Sequence, residues 1–162
     1  MKIIIGSDHA GFGHKEKLKE FLQTLGHEVE DKGAFEYNEE DDYPDFIIPV
    51  ARKVSQHPND LKGIIIGGSG QGEAMTANKF SQVRAAIFYG PATYIVKEET
   101  NSETNSIVKL SREHNNANIL SIGARFVTED QMIGAAKEWL ETAFTKIPRH
   151  ERRIDKMNRI HE

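Results

Sequence analysis

The sequence predicts an α/β fold: a five-stranded parallel sheet with helices on both faces and a helical tail at the C-terminus. Three observations predict it. Short apolar runs rich in β-branched residues recur, at Lys2–Ile5, Ile64–Ile66 and Asn118–Ile122. The segments between them carry apolar residues at helical spacing. The runs stop at glycine or in polar loops, as buried parallel strands do. Strands alternating with helices bury both faces of a parallel sheet through right-handed crossovers. A chain of 162 residues suits one domain, 1–162, with one core.

The first strand, Lys2–Ile5, ends in the loop Gly6-Ser7-Asp8-His9-Ala10-Gly11. A helix is expected from Gly13 to Leu25, with Leu18, Phe21, Leu22 and Leu25 on one face and Gly26 as its stop. His27–Glu30 reads as a weak second strand. Pro44 opens a helix that places Ile47, Val50, Ala51 and Val54 inward. The third strand, Ile64–Ile66, runs into Gly67-Gly68-Ser69-Gly70-Gln71-Gly72-Glu73, and a short helix is expected from Glu73 to Phe80. Val83–Phe88 is the fourth strand. Tyr94–Lys109 is polar in its middle and reads as two half-helices around a loop, or as an excursion. Asn118–Ile122, the fifth strand, ends at Gly123. Thr128-Glu129-Asp130-Gln131 has the capping-box pattern and starts a helix with Met132, Ala136 and Trp139 inward. A basic helix follows Pro148.

Ligands of such sheets bind beyond the carboxyl ends of the strands, where the strand order reverses. A strand order of 2-1-3-4-5 brings the loops after strands 1 and 3 together. These are the two loops richest in chemistry. The glycine loop presents backbone N–H groups at the start of a helix, where negative charge is stabilised. It also carries one carboxylate, Glu73, whose place at a helix start should favour its ionised form. The loop lacks the lysine and hydroxyl of a nucleotide phosphate loop, and its glycine spacing does not fit a dinucleotide fingerprint. Read alone, Asp8-His9 is a turn with a surface histidine, and His114-Asn115-Asn116 is a polar turn. Arg149 and Arg153 stand four apart, on one helix face, as a solvated pair or a phosphate clamp.

Composition narrows the classes. With no cysteine, the chain has no disulfide, thiolate nucleophile or cysteine metal site. No histidine spacing resembles a metal centre, and no metal or cofactor is expected. A net charge of −4 argues against broad nucleic-acid binding. Between Lys146 and Arg159, six Lys/Arg face two Asp/Glu, which suits a small anion or a second subunit. The N-terminal apolar run is too short for a signal sequence or a membrane span, so a cytoplasmic protein is expected.

In combination, several motifs resemble one family. They are SDHAG after strand 1, DYP before the second helix, GGSGQGE followed by ANK, SREHNNAN, the Gly123-Ala124-Arg125 turn and RHERR. They are similar to ribose-5-phosphate isomerase type B, a family that includes the galactose-6-phosphate isomerase subunits. The likeness runs from Met1 to about Arg153. It implies a Rossmann-like three-layer homodimer with shared active sites, interconverting an aldose phosphate and a ketose phosphate without metal or nucleotide. It implies Glu73 as the base, in the branch where Gly67 replaces a cysteine. Asp8 and His9 would contact the sugar phosphate, and Tyr43 would line the pocket. Gly68, Ser69, Gly70, Gln71 and Gly72 would form the anion hole, with the Ser69 hydroxyl assisting. His114 would open the sugar ring. Asn115, Arg125, Arg149 and Arg153 would bind substrate, some of them from the second subunit. By the same likeness Val96–Ile107 is an insertion, and 148–162 is a basic dimer arm. The chemistry agrees: moving a proton between adjacent carbons needs a carboxylate and preorganised donors for the enediolate. Two other readings stay open: an isomerase for a six-carbon sugar phosphate, and a non-catalytic sugar-phosphate or nucleotide-binding module.

Overall fold

A computed structural model describes residues 1–92 and 106–161. The five strands are β1 (Lys2–Ser7), β2 (Glu28–Asp31), β3 (Leu61–Gly67), β4 (Ala85–Phe88) and β5 (Ile119–Gly123), all parallel. The helices are α1 (Phe12–Thr24), α2 (Tyr43–Gln56), α3 (Gln71–Ala77), α4 (Ile107–Asn115), α5 (Glu129–Glu141) and α6 (Pro148–Asn158).

The sheet order is β2-β1-β3-β5-β4, which corrects the expected 2-1-3-4-5 at one end. The burial of the two strands gives the physical reason. Every residue of β5 is buried, whereas three of the four residues of β4 are only partly covered. The fully apolar strand takes the interior position and the shorter one the edge. The order reverses between β1 and β3, as expected, so the predicted crevice survives the correction.

Alternation along the strands divides the core. Ile3, Ile5, Ile64 and Ile66 face Leu18 and Leu22 of α1, Val108 of α4, and Met132 and Trp139 of α5. Ile4, Ile65 and Ile119 face Ile47, Val50 and Val54 of α2 and Ala77 of α3. A run of three isoleucines therefore serves both layers, because successive side chains point to opposite faces. Each fully buried isoleucine contributes about 1.5–3 kcal/mol. The capping box at Thr128 forms with both of its hydrogen bonds.

The structure finds α4 where the sequence reads a polar stretch and a turn. Ser106 caps it, accepting from the Lys109 N–H, and Val108 and Arg112 are its buried residues. Its short apolar content hides the helical period. Most of the presumed insertion, Val96–Ile107, lies outside the described residues.

Register positions the site. Ser7 pairs with Ile66, and Gly67 pairs with Gly123. The chain therefore leaves β1, β3 and β5 at one level, and the Asp8, Gly68 and Ala124 loops emerge side by side.

Candidate active site

These three loops and the start of α2 enclose a cleft of about 370 Å³, lined by Asp8, His9, Tyr43, Gly68, Ser69, Gly72, Glu73 and Arg125, with Ala10 and Phe126. The glycine loop is tied to its neighbour by the Ala124 N–H donating to Gly67 O (2.8 Å) and the Arg125 N–H to Gly68 O (3.1 Å). The interior position of β5 thus delivers Arg125 to the cleft. Gly70 turns the chain into α3 at φ 74°, a conformation that favours glycine, and its carbonyl accepts from the Ser121 hydroxyl at 2.7 Å. The Ser69 hydroxyl accepts from the Gln71 N–H at 3.3 Å. Among the described residues the N–H groups of Gly68 and Ser69 have no intramolecular acceptor.

Glu73 lies in the first turn of α3, buried at 4 % exposure. A Cβ on Gly67 would collide with its carboxylate, so glycine is what leaves room for it. Its Oε2 is buried with no hydrogen-bond partner among the described residues. Burial pushes its pKa above the ordinary carboxylate value, and the nearby Asp8 charge adds to the rise. The N–H groups of Glu73 and Gly70 pull the other way. The expectation that the helix start would favour the ionised form is corrected here: desolvation outweighs the few dipoles of a seven-residue helix. A carboxylate so raised is nearer to neutrality, and so a better-matched general base.

Asp8 is also buried, accepts from the Gly11 N–H at 3.1 Å, and is raised by burial. His9 Nδ1 sits 2.6 Å from Asp41 Oδ1. Ligand atoms of Asp8, His9 and Asp41 fall within 4.8 Å of one another. His9 and Asp41 are engaged with each other, and Asp8 with the Gly11 N–H.

The other expected residues do not line this cleft. α4 leads directly into β5, so His114 and Asn115 lie at the amino end of that strand, while Glu73 lies beyond the carboxyl ends. A five-residue strand separates the two ends by roughly 15 Å. α6 is docked near His114: Thr145 donates its N–H (3.3 Å) and hydroxyl (2.7 Å) to Glu113 O, and the His114 and His150 rings stand 4.4 Å apart. Arg149 Nε donates to His150 Nε2 at 3.2 Å. His150 is buried and held below the ordinary histidine range, by desolvation first and then by the adjacent His114. One chain thus carries two separate clusters: a carboxylate cleft at the carboxyl end of the sheet, and His114 with α6 at the other.

A family model described as Ribose/Galactose Isomerase matches residues 3–157. The chain belongs to the ribose/galactose isomerase family. It is 39% identical over 155 residues to ribose-5-phosphate isomerase B of Mycolicibacterium paratuberculosis, covering 96% of this chain and 88% of the relative. A crystal structure of the Mycoplasma genitalium ribose-5-phosphate isomerase B with bound ribulose-5-phosphate superposes with a TM-score of 0.86 at 38% identity, covering 99% of this chain and 95% of that one. The Clostridium thermocellum ribose-5-phosphate isomerase B matches with a TM-score of 0.83 at 40% identity, covering 99% and 97%.

Within this isomerase-family frame, sequence reasoning missed Asp41 and Phe126. Asp41 sits in the run Glu39-Glu40-Asp41-Asp42, which reads as a solvated charge patch. Phe126 is 62 % exposed, and nothing in its neighbours marks a binding role. Among the described residues no helix is long and apolar enough to cross a membrane.

Proposed function

We propose that this protein interconverts ribose 5-phosphate and ribulose 5-phosphate through an enediolate, with Glu73 as the base. One observation carries the reading: a buried carboxylate with an unpartnered oxygen, in a glycine-walled cleft beside unpaired backbone N–H donors. Glu73 takes the proton from C2 of the open-chain aldose and returns it to C1. The charge that develops on O1 falls to the loop N–H groups from Gly68 to Gly72. The Ser69 hydroxyl passes a proton between O2 and O1, so the net change moves two hydrogens and leaves the enzyme as it began. Asp8, His9, Tyr43 and Arg125 hold the sugar phosphate in the cleft. The ribose-5-phosphate isomerase B relatives and the bound ribulose-5-phosphate in the Mycoplasma structure support the pentose reading over the six-carbon and non-catalytic alternatives.

The second half-site belongs to a second copy of the chain in this reading. His114 of one subunit opens the sugar ring held by Glu73 of the other, and Arg149, Arg153 and Asn115 hold the phosphate across the interface. Two observations support a homodimer. The half-sites stand at opposite ends of one sheet, too far apart to act on one sugar. Aromatic rings more than half exposed also stand by the Glu73 cleft: Phe126 (62 %) lines it, Tyr89 (56 %) packs on Phe126, and Tyr37 (64 %) on His9. The test is a panel of pentose and hexose phosphates assayed on the wild type and on Glu73→Gln. Turnover of ribose 5-phosphate in preference to galactose and allose 6-phosphates, lost in the variant, is expected. Preferred turnover of a hexose phosphate, or turnover that Glu73→Gln leaves unchanged, overturns the reading.

A further inference from the structure

We propose that Asp41 is a positioning residue: it holds His9 with the Nδ1–H turned to its carboxylate and Nε2 turned to the cleft, where the imidazole meets the substrate. The proposal rests on the sugar-phosphate reading above. Its geometry is a single carboxylate oxygen that engages one residue twice. Asp41 Oδ1 stands 2.6 Å from His9 Nδ1 and also accepts the His9 backbone N–H at 3.1 Å. Ring and backbone are thereby fixed together, which leaves the imidazole little rotational freedom. With Nδ1 committed, Nε2 is the nitrogen left for a ligand.

Asp41 is built for this. Its side chain is only 7 % exposed, and its Oδ2 is buried with no partner among the described residues. A carboxylate with one oxygen unsatisfied in a low dielectric strengthens the hydrogen bond it does make. The turn that carries it is stapled: the Asp41 N–H donates to Asn38 O and the Glu40 N–H to Asn38 Oδ1, both at 3.1 Å. The ring of Tyr37 packs edge-on against His9, with centroids 6.3 Å apart. The charged groups that face His9 are Asp41, Asp8 and Arg125. The hydrogen bond to Asp41 dominates and holds the imidazole above the ordinary histidine value; desolvation opposes it first and Arg125 after it, while the charge of Asp8 adds to the rise. Protonated, the ring so held donates from Nε2 to an anionic oxygen of the substrate; neutral, it presents a lone pair there.

The test reads the ring itself. Long-range ¹⁵N–¹H spectra of the labelled wild-type protein, titrated with pH, should show His9 with Nδ1 protonated in its neutral form and with a pKa above that of free histidine. In Asp41→Asn that pKa should fall and the other tautomer should appear. In kinetics, Asp41→Asn should raise KM for ribose 5-phosphate about tenfold, the scale of one charge-assisted hydrogen bond, with kcat changed far less. In a His9→Gln background the same substitution should add nothing, because Asp41 acts through His9. A neutral wild-type ring protonated on Nε2 overturns the proposal, even should Asp41→Asn fail to fold. An equal KM penalty with and without His9 also overturns it. If the wild type turns over no sugar phosphate, the functional reading fails, while the spectra still decide whether Asp41 governs His9.

Discussion

Gly67 and Glu73 act as a pair. The missing side chain of one makes room for the carboxylate of the other, six residues along the chain. Glu73→Gln keeps the shape and the hydrogen-bonding reach but cannot accept a proton. It should lower kcat by about 10²–10⁴-fold and leave substrate binding largely intact, as steady-state and binding measurements would show. The same variant should reveal the stability forgone for the base. Because the native state raises the Glu73 pKa from its ordinary 4.5, it holds that proton more tightly than the unfolded chain does. The stability contributed is therefore full below about pH 4.5 and lost as pH rises through the native value. Glu73→Gln should melt above the wild type at pH 8, and the advantage should vanish in acid. A lower melting temperature at pH 8 would contradict the assignment of burial as the cause. Lys62 offers a matched case of opposite sign. Burial, with Arg112 and Arg84 nearby, pushes it down to about 8. Its charge burdens the fold below that pH, and the burden fades as pH rises from about 8 to 10.5. Lys62→Met should raise the melting temperature at pH 7 and give little by pH 10.5.

At the scale of the element, α6 turns a basic sequence into a directed surface. His150 and Ile154 anchor one side of the helix, and Thr145 ties its approach to the end of α4. Arg149 and Arg153, four apart on that helix, both lie close enough to His150 for their charges to add to the lowering of its pKa by burial. If the pair holds the phosphate in a second subunit's cleft, Arg153→Ala should weaken substrate binding about ten- to a hundredfold, the scale of a buried hydrogen bond to a charged group. Its circular dichroism and melting temperature should stay close to the wild type. Unchanged kinetics would remove α6 from the site.

At the scale of the molecule, the proposed sharing of one site between two chains makes a prediction that one chain cannot satisfy. Glu73→Gln and His114→Ala should each be inactive alone. When the two are unfolded and refolded together, mixed dimers should carry one intact site, built from Glu73 of one chain and His114 of the other. About a quarter of the wild-type activity should return, from random pairing with one working site of two in each mixed dimer. A site contained within one chain would give none, because neither variant chain is whole.

The sequence by itself determined the layers, five strands, the reversal between β1 and β3, and the glycine loop that carries Glu73. It could do so because isoleucine runs, helical spacing and a glycine-rich turn are local signals, written in neighbouring residues. Most helix limits fell within two residues for the same reason. Three things were decided only by the tertiary structure. The order β5 before β4 depends on which strand buries more surface, a comparison across the whole sheet. The raised pKa of Glu73 depends on the atoms packed around it, which no helix-end rule contains. The link from Asp41 to His9 spans 32 residues and joins a charge run to a turn, so neither segment signals it. Local pattern is read from the chain, whereas burial and long-range contact exist only once the chain has folded.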